Sequence, residues 1–198
     1  MRYDPPDMPA SLPIDWSEVF DQIFERQSPA SDDAIATVFA PLTQAEIESI
    51  ISDQRNPWRV DDLRHASWKP IDPRTWALPS HSLPPQYVDF LKWSDGAAWQ
   101  TGEREFSCFG CADLRSYMLN YHFPEYQPGA VPIGLDGGGI FGVFDLRTPS
   151  NHQVLAVGSG VPDWSDVLPI AETFEAFCRD TTRVADAYWS VWERLKNG

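Results

Sequence analysis

VPIGLDGGGIFGVFDL, residues 131–146, joins two runs of branched and aromatic residues through Asp136 and three consecutive glycines, and it reads as strand, tight turn, strand. The glycines let the backbone visit positive φ between the strands, and the Asp136 carboxylate is placed to bond the turn amides. A phosphate-cradling loop is the poorer reading, because the stretch has no Lys and no Ser or Thr and no helix follows to aim amides at an anion. QVLAVGS (153–159) supplies a third strand after the turn Thr148-Pro149-Ser150-Asn151, which makes an antiparallel meander. Upstream, the alternation of Phe106 and Cys108 predicts a strand over Gly102–Phe109.

Outward from this meander the periodicity changes to that of helices. Trp16, Val19, Phe20, Ile23 and Phe24 recur at helical spacing opposite Asp15, Glu18, Gln22 and Glu25, predicting a helix over 15–27 after a Pro-rich lead. Residues 28–41 read as a linker with about one helical turn. Thr43 and Glu46 stand at capping-box spacing, with Leu42 and Ile47 as the hydrophobic staple, and predict a helix running to about Arg55. Residues 56–79 lose periodicity and carry Pro57, Pro70, Pro73 and Pro79 with Trp58, Trp68 and Trp76, an insertion expected to pack on the core through its indoles. Ser82-Leu83-Pro84-Pro85 opens a helix bearing Tyr87, Phe90 and Leu91 and ending at Asp95-Gly96. Leu114, Tyr117, Met118 and Tyr121 mark a short helix stopped before Pro124. Phe174 and Phe177 precede a last stripe of Val184, Tyr188, Val191, Trp192 and Leu195. Helices flanking a single antiparallel sheet give an α+β fold. The expected organisation is an acidic extension with one helix over 1–41, then an α+β domain over 42–198 carrying the insertion.

The chain has 198 residues and a formal charge of −14, with 42% hydrophobic and 13% aromatic residues, enough to bury a full core. Residues 1–55 hold 11 acidic against 3 basic side chains, net −8, while 56–198 hold 18 and 12, net −6. Such acidity argues against nucleic acid and against anionic membrane, whose affinity rests on Lys and Arg. It favours a basic protein partner. No stretch is long and apolar enough for a membrane helix, and the first residues lack the order of a signal peptide, so a cytoplasmic location is expected. Three cysteines, Cys108, Cys111 and Cys178, make a poor disulfide framework.

Candidates for chemistry each have a plainer structural role. Cys108-Phe109-Gly110-Cys111 has the spacing of a thiol pair or half a zinc site, but no second pair exists and His65, His81, His122 and His152 are scattered singly. The cysteines are expected to be small hydrophobes, and no cofactor or metal is expected. Glu103 and Glu105 are spaced to share one face of a strand, the apparatus of sugar hydrolases, yet no oriented His or nucleophile accompanies them. Of nine tryptophans, Trp16, Trp93, Trp189 and Trp192 are assigned to buried helix faces, leaving Trp58, Trp68, Trp76, Trp99 and Trp164 for the surface.

The order of elements resembles the SUKH superfamily, of the Smi/Knr cell-wall-assembly-regulator type. The resemblance is carried by Leu83-Pro84 leading into Tyr87, Phe90 and Leu91, by Gly96, by Ile133-Gly134, by Asp136 with its glycines, and by Ile170-Ala171 followed by Phe174 and Phe177. It covers about residues 80–180 and implies helices around one antiparallel sheet with no common catalysis. Many bacterial members look like immunity proteins that neutralise polymorphic toxins, often nucleases; others serve as regulatory interaction modules. The expected function is therefore a non-catalytic cytoplasmic protein-binding domain, an immunity protein facing a basic toxin domain. A regulatory or carbohydrate-associated adaptor and a thiol-redox or hydrolytic enzyme are the alternatives. Glu103, Glu105 and Asp136 are the expected partner-facing residues, since one side of an antiparallel sheet can stay open to a ligand. Asp15, Glu18 and Glu25 on the N-terminal helix form the competing location.

Overall fold

In the computed structural model, which describes residues 14–149, 151–160 and 163–197, the stretch 131–146 is the expected hairpin. Asp136 Oδ1 accepts from the amides of Gly138 (2.8 Å) and Ile140 (2.9 Å), and Gly137 and Gly139 take φ of 74° and 95°, where a branched residue would be strained. The Pro-rich lead (1–13) and Ser150 lie outside the described residues.

Seven strands pair in chain order, each antiparallel to the next: β1 (Gln22–Arg26), β2 (Ala97–Thr101), β3 (Arg104–Cys108), β4 (Ala130–Leu135), β5 (Ile140–Asp145), β6 (Val154–Gly158) and β7 (Leu168–Ala171). Around them lie α1 (Asp32–Thr37), α2 (Gln44–Asp53), α3 (Pro85–Trp93), α4 (Cys111–Asn120), α5 (Phe123–Tyr126), α6 (Phe174–Arg179) and α7 (Val184–Asn197). The α+β fold with a single antiparallel sheet is thus present. The capping box forms as its spacing predicts: Thr43 Oγ1 accepts from the Glu46 amide, and the Glu46 carboxylate accepts from the Thr43 amide at 2.8 Å.

Period-2 alternation sorts the side chains of β2 to β5 onto two faces. On one, Trp99, Phe106 and Phe144 meet Tyr87, Phe174 and Phe177 of α3 and α6. The Tyr87 hydroxyl, buried among them, donates to Phe109 O at 2.7 Å and so ties α3 to the end of β3. On the other face Phe141 packs with Phe109, Tyr117, Tyr121 and Phe123, so α4 and α5 roof the middle of the sheet. That roof stops short of β1 to β3, where Ala98, Gln100, Glu105 and Ser107 remain partly or fully exposed.

Several expectations need correction. Residues 15–27 are not a helix: a 3-10 turn (Trp16–Glu18) leads into β1, whose residues are all exposed. Trp16, Val19 and Phe20 are buried, and Phe20 lies 4.7 Å from Trp99, but the chain then runs extended along β2. A short run such as Ile23-Phe24 fits either period, and the unpaired backbone of β2 beside the buried Trp99 decides for the strand. β2 itself, unrecognised in the sequence, buries Trp99 completely, so that indole is no surface residue. Trp189 errs the other way and is half exposed. The short helix expected before Pro124 is α4, which ends at Asn120; what the expectation lacked is α5, whose first turn holds Pro124 after His122 reverses the chain at φ 54°. Of the insertion's indoles, Trp76 packs on the core and donates its Nε1–H to Glu125 at 2.9 Å, while Trp58 lies under the Arg64 guanidinium.

Candidate functional site

The tip of the β2–β3 hairpin is held from two sides. Asp21 Oδ2 accepts from the Gly102 amide at 2.7 Å, and the Glu103 amide donates to Thr181 O at 2.9 Å. Beneath the tip sits Arg104, whose side chain is fully buried although it is charged. Its Nε donates to Thr182 O (2.6 Å), its Nη1 to Phe177 O (2.8 Å), and its Nη2 lies 2.9 Å from Asp180 Oδ2. The guanidinium also faces the Phe177 ring at 4.8 Å. Burial draws the Arg104 pKa below its ordinary value while Asp180 opposes the shift; an arginine starts so high that the group keeps its charge. Arg104 thereby clamps the segment between α6 and α7 against the start of β3.

That clamp sets up a groove of about 430 Å³ whose walls include Gln100, Glu103, Glu105, Asp136 and Arg183. The three carboxylates singled out in the sequence therefore come together. They arrive by different routes. Glu105 stands exposed on β3 opposite Gln100, and Glu103 belongs to the turn rather than to the strand face expected for it. Asp136 is half buried and spends one oxygen on its own turn. Arg183 brings the groove's single positive charge, and no ion pair of Arg183 is found among the described residues.

Along the same open face a second groove is lined by Glu25, Asp95, Ala98, Ser107, Asp113 and Tyr117, among others. Register joins the two: Glu25 pairs with Ala98, Ala98 with Ser107, and Ser107 with Leu135, one row along from Gln100 and Glu105. Asp95 Oδ1 accepts from the Cys111 amide at 2.6 Å and so fixes the start of α4 against this groove. Of the competing residues, Glu25 belongs to this face through β1, whereas Asp15 caps the 3-10 turn and Glu18 lies exposed within it.

The cysteine pair offers no poised thiolate. All three cysteines are buried free thiols, and burial pushes Cys108 and Cys111 up to about 12, the reverse of what a redox pair needs. Cys108 Sγ accepts from Trp99 Nε1 at 3.3 Å, the contact of a packed core atom. Among the described residues no group of three or more His, Cys, Asp or Glu is placed to hold a metal, and no helix is long and apolar enough to cross a membrane.

Residues 77–180, just over half the chain, match the model of the SMI1 / KNR4 family (SUKH-1). The chain belongs to that family. No curated protein matches it. The SUKH-1 match begins ahead of α3 and ends at Asp180, so it takes in β2 to β7, Arg104 with its partners Phe177 and Asp180, and the three carboxylates, but not Thr182, β1 or α7. SUKH-1 membership supports an immunity-protein-like or regulatory domain, and domains of this family are generally non-catalytic.

Arg104, Asp113 and Arg183 escaped the sequence reading, and Glu25 was placed on a helix rather than on β1. Arg104 shares parity with Phe106 and Cys108, which places it on their inward face, and that signal was available once the strand was recognised. Asp113 and Arg183 have no such signal, since what brings them to the sheet is the packing of separate helices.

Proposed function

We propose that this SUKH-1 domain is a non-catalytic protein-binding module, an immunity protein that neutralises a basic toxin domain in the cytoplasm by covering it with the open face of β1 to β3. One observation carries the reading: α4 and α5 roof the middle of this side of the sheet and leave β1 to β3 bare, and the bare part is acidic, with Glu25, Glu103, Glu105 and Asp136 beside a single arginine. A net charge of −14 adds long-range attraction for a positive partner. Complementary charge of this kind raises association rates above the about 10⁵–10⁶ M⁻¹s⁻¹ of neutral docking.

The test pairs the chain with a toxin domain encoded beside its gene. Stopped-flow association is expected to slow steeply between about 50 and about 500 mM salt, as the screening length shortens several-fold. E103K and E105K, which alter exposed side chains, are expected to lose toxin neutralisation and binding with an unchanged melting temperature. A salt-independent rate, or charge-reversed variants that protect as well as the parent, overturns the assignment.

A further inference from the structure

The two edges of the sheet are treated differently. β7 carries Pro169, which has no amide to offer, and α7 packs against that strand. β1 has neither protection: Gln22-Ile23-Phe24-Glu25-Arg26 contains no proline, pairs among the described residues with β2 alone, and is exposed along its whole length. Gln27 donates its amide to Gly96 O, so the alternation of the ladder aims the Arg26 amide away from β2. The strand is nevertheless held in place. Arg26 Nη2 donates to Trp93 O at 2.9 Å with its guanidinium over the Trp93 ring, and Ser94 Oγ accepts from the Gln27 amide at 3.0 Å.

From this edge we infer that an extended segment of the partner pairs with β1 and adds an eighth strand to the sheet. The inference rests on the binding role proposed above and names the chemistry of the segment. Ile23 pairs with Trp99 on the core-facing side, whereas Glu25 pairs with Ala98 on the open side, in the groove shared with Asp95 and Asp113. The register slips between Ile23 and Glu25, and the intervening Phe24 is left 52% exposed at the edge. A strand laid along β1 presents alternate side chains to these two surroundings. The occupant is accordingly a segment alternating Lys or Arg with branched apolar residues, its cations toward Glu25 and Asp113 and its apolar groups toward Ile23 and Phe24. A second copy of the chain is the poorer occupant, since each brings a charge of −14.

Three short probe peptides test this with the full chain in ¹H–¹⁵N spectra: alternating Lys and Val, the same peptide with N-methyl amides on one edge, and alternating Glu and Val. The Lys/Val peptide is expected to shift the amides of Gln22–Gln27 and slow exchange at Arg26, and its N-methylated twin to bind at least about tenfold more weakly. F24K, altering a side chain already half in solvent, is expected to weaken the Lys/Val peptide as well. Equal affinity for the N-methylated peptide overturns strand addition while leaving the acidic-face reading intact. Equal affinity for the Glu/Val peptide overturns the basic occupant and the proposed function with it, and binding of none of the three overturns both.

Discussion

Replacing Arg104 by Met keeps most of the apolar stem of a buried side chain and removes its charge and donors. Two backbone carbonyls, Phe177 O and Thr182 O, then lose partners at 2.8 and 2.6 Å. Each costs about 1–2 kcal/mol when left dry. Asp180, about one-third exposed, can turn to water and adds little. The expected loss is about 2–4 kcal/mol, which at roughly 2–4 °C per kcal/mol for a chain of this size lowers the melting temperature by about 10 °C. R104K is expected to behave similarly, because one ammonium cannot reproduce the planar fork that reaches three acceptors. Urea unfolding followed by tryptophan fluorescence measures both. An R104M midpoint equivalent to within about 0.5 kcal/mol of the parent refutes the clamp, and with it the account of how the segment bearing Arg183 is held at the groove.

In the 136–139 turn, G137V and G139V are expected to lower the denaturation midpoint by about 1–3 kcal/mol each through backbone strain, and G138A by less; three unchanged midpoints contradict the hairpin geometry. The three thiols should be silent to Ellman's reagent in the native protein and react fully in denaturant, whereas rapid native-state reaction of Cys108 or Cys111 contradicts their burial. Glu46, hydrogen-bonded by Arg115 at 2.6 and 2.9 Å and by Thr43, is held down to about 2 from an ordinary 4.5. Because its folded pKa is depressed, its contribution of about 1–2 kcal/mol after screening is present above pH 4.5 and lost as pH falls toward 2, so E46Q should flatten the stability profile across that window.

The hairpin at 131–146, the Thr43 capping box and the Pro85 helix start were legible because each is written in local chemistry: glycines where φ must be positive, a hydroxyl three residues before a carboxylate, prolines where donors are not missed. What local chemistry could not show was the fate of residues whose partners lie far away in sequence. Ile23 and Phe24 fit a helix until β2, more than seventy residues on, offers an unpaired edge. Trp99 sits three residues beyond a helix-ending Asp95-Gly96 in a stretch with no alternation strong enough to announce a strand, and it is buried where Phe20, Phe106 and Phe177 converge on it. The candidate site divides in the same way. Glu103, Glu105 and Asp136 were found from strand and turn positions, and Glu25 was named but on a helix, whereas Arg183 and Asp113 reach the same surface only through the docking of the α6–α7 segment and of α4.

The arrangement of charge bears on which of these features serve folding and which serve binding. Arg104 and Arg115 each have a carboxylate partner within 3 Å from a distant part of the chain, Asp180 and Glu46, and those pairs tie segments together, while Arg147 pairs locally with Asp145. Glu103, Glu105 and Asp136 instead line one groove with a lone arginine, and like charges gathered on a surface repel one another and stabilise nothing. A folding role accounts for one oxygen of Asp136, which caps its turn, and for neither glutamate. The groove's walls are also tied down: its hairpin tip by Asp21 and Thr181, its turn by Asp136, and the segment before Arg183 by Arg104. Under the binding role proposed above, acids held apart on such a frame lose little conformational freedom when a cationic surface arrives, and the repulsion tolerated in the free protein turns into attraction in the proposed complex.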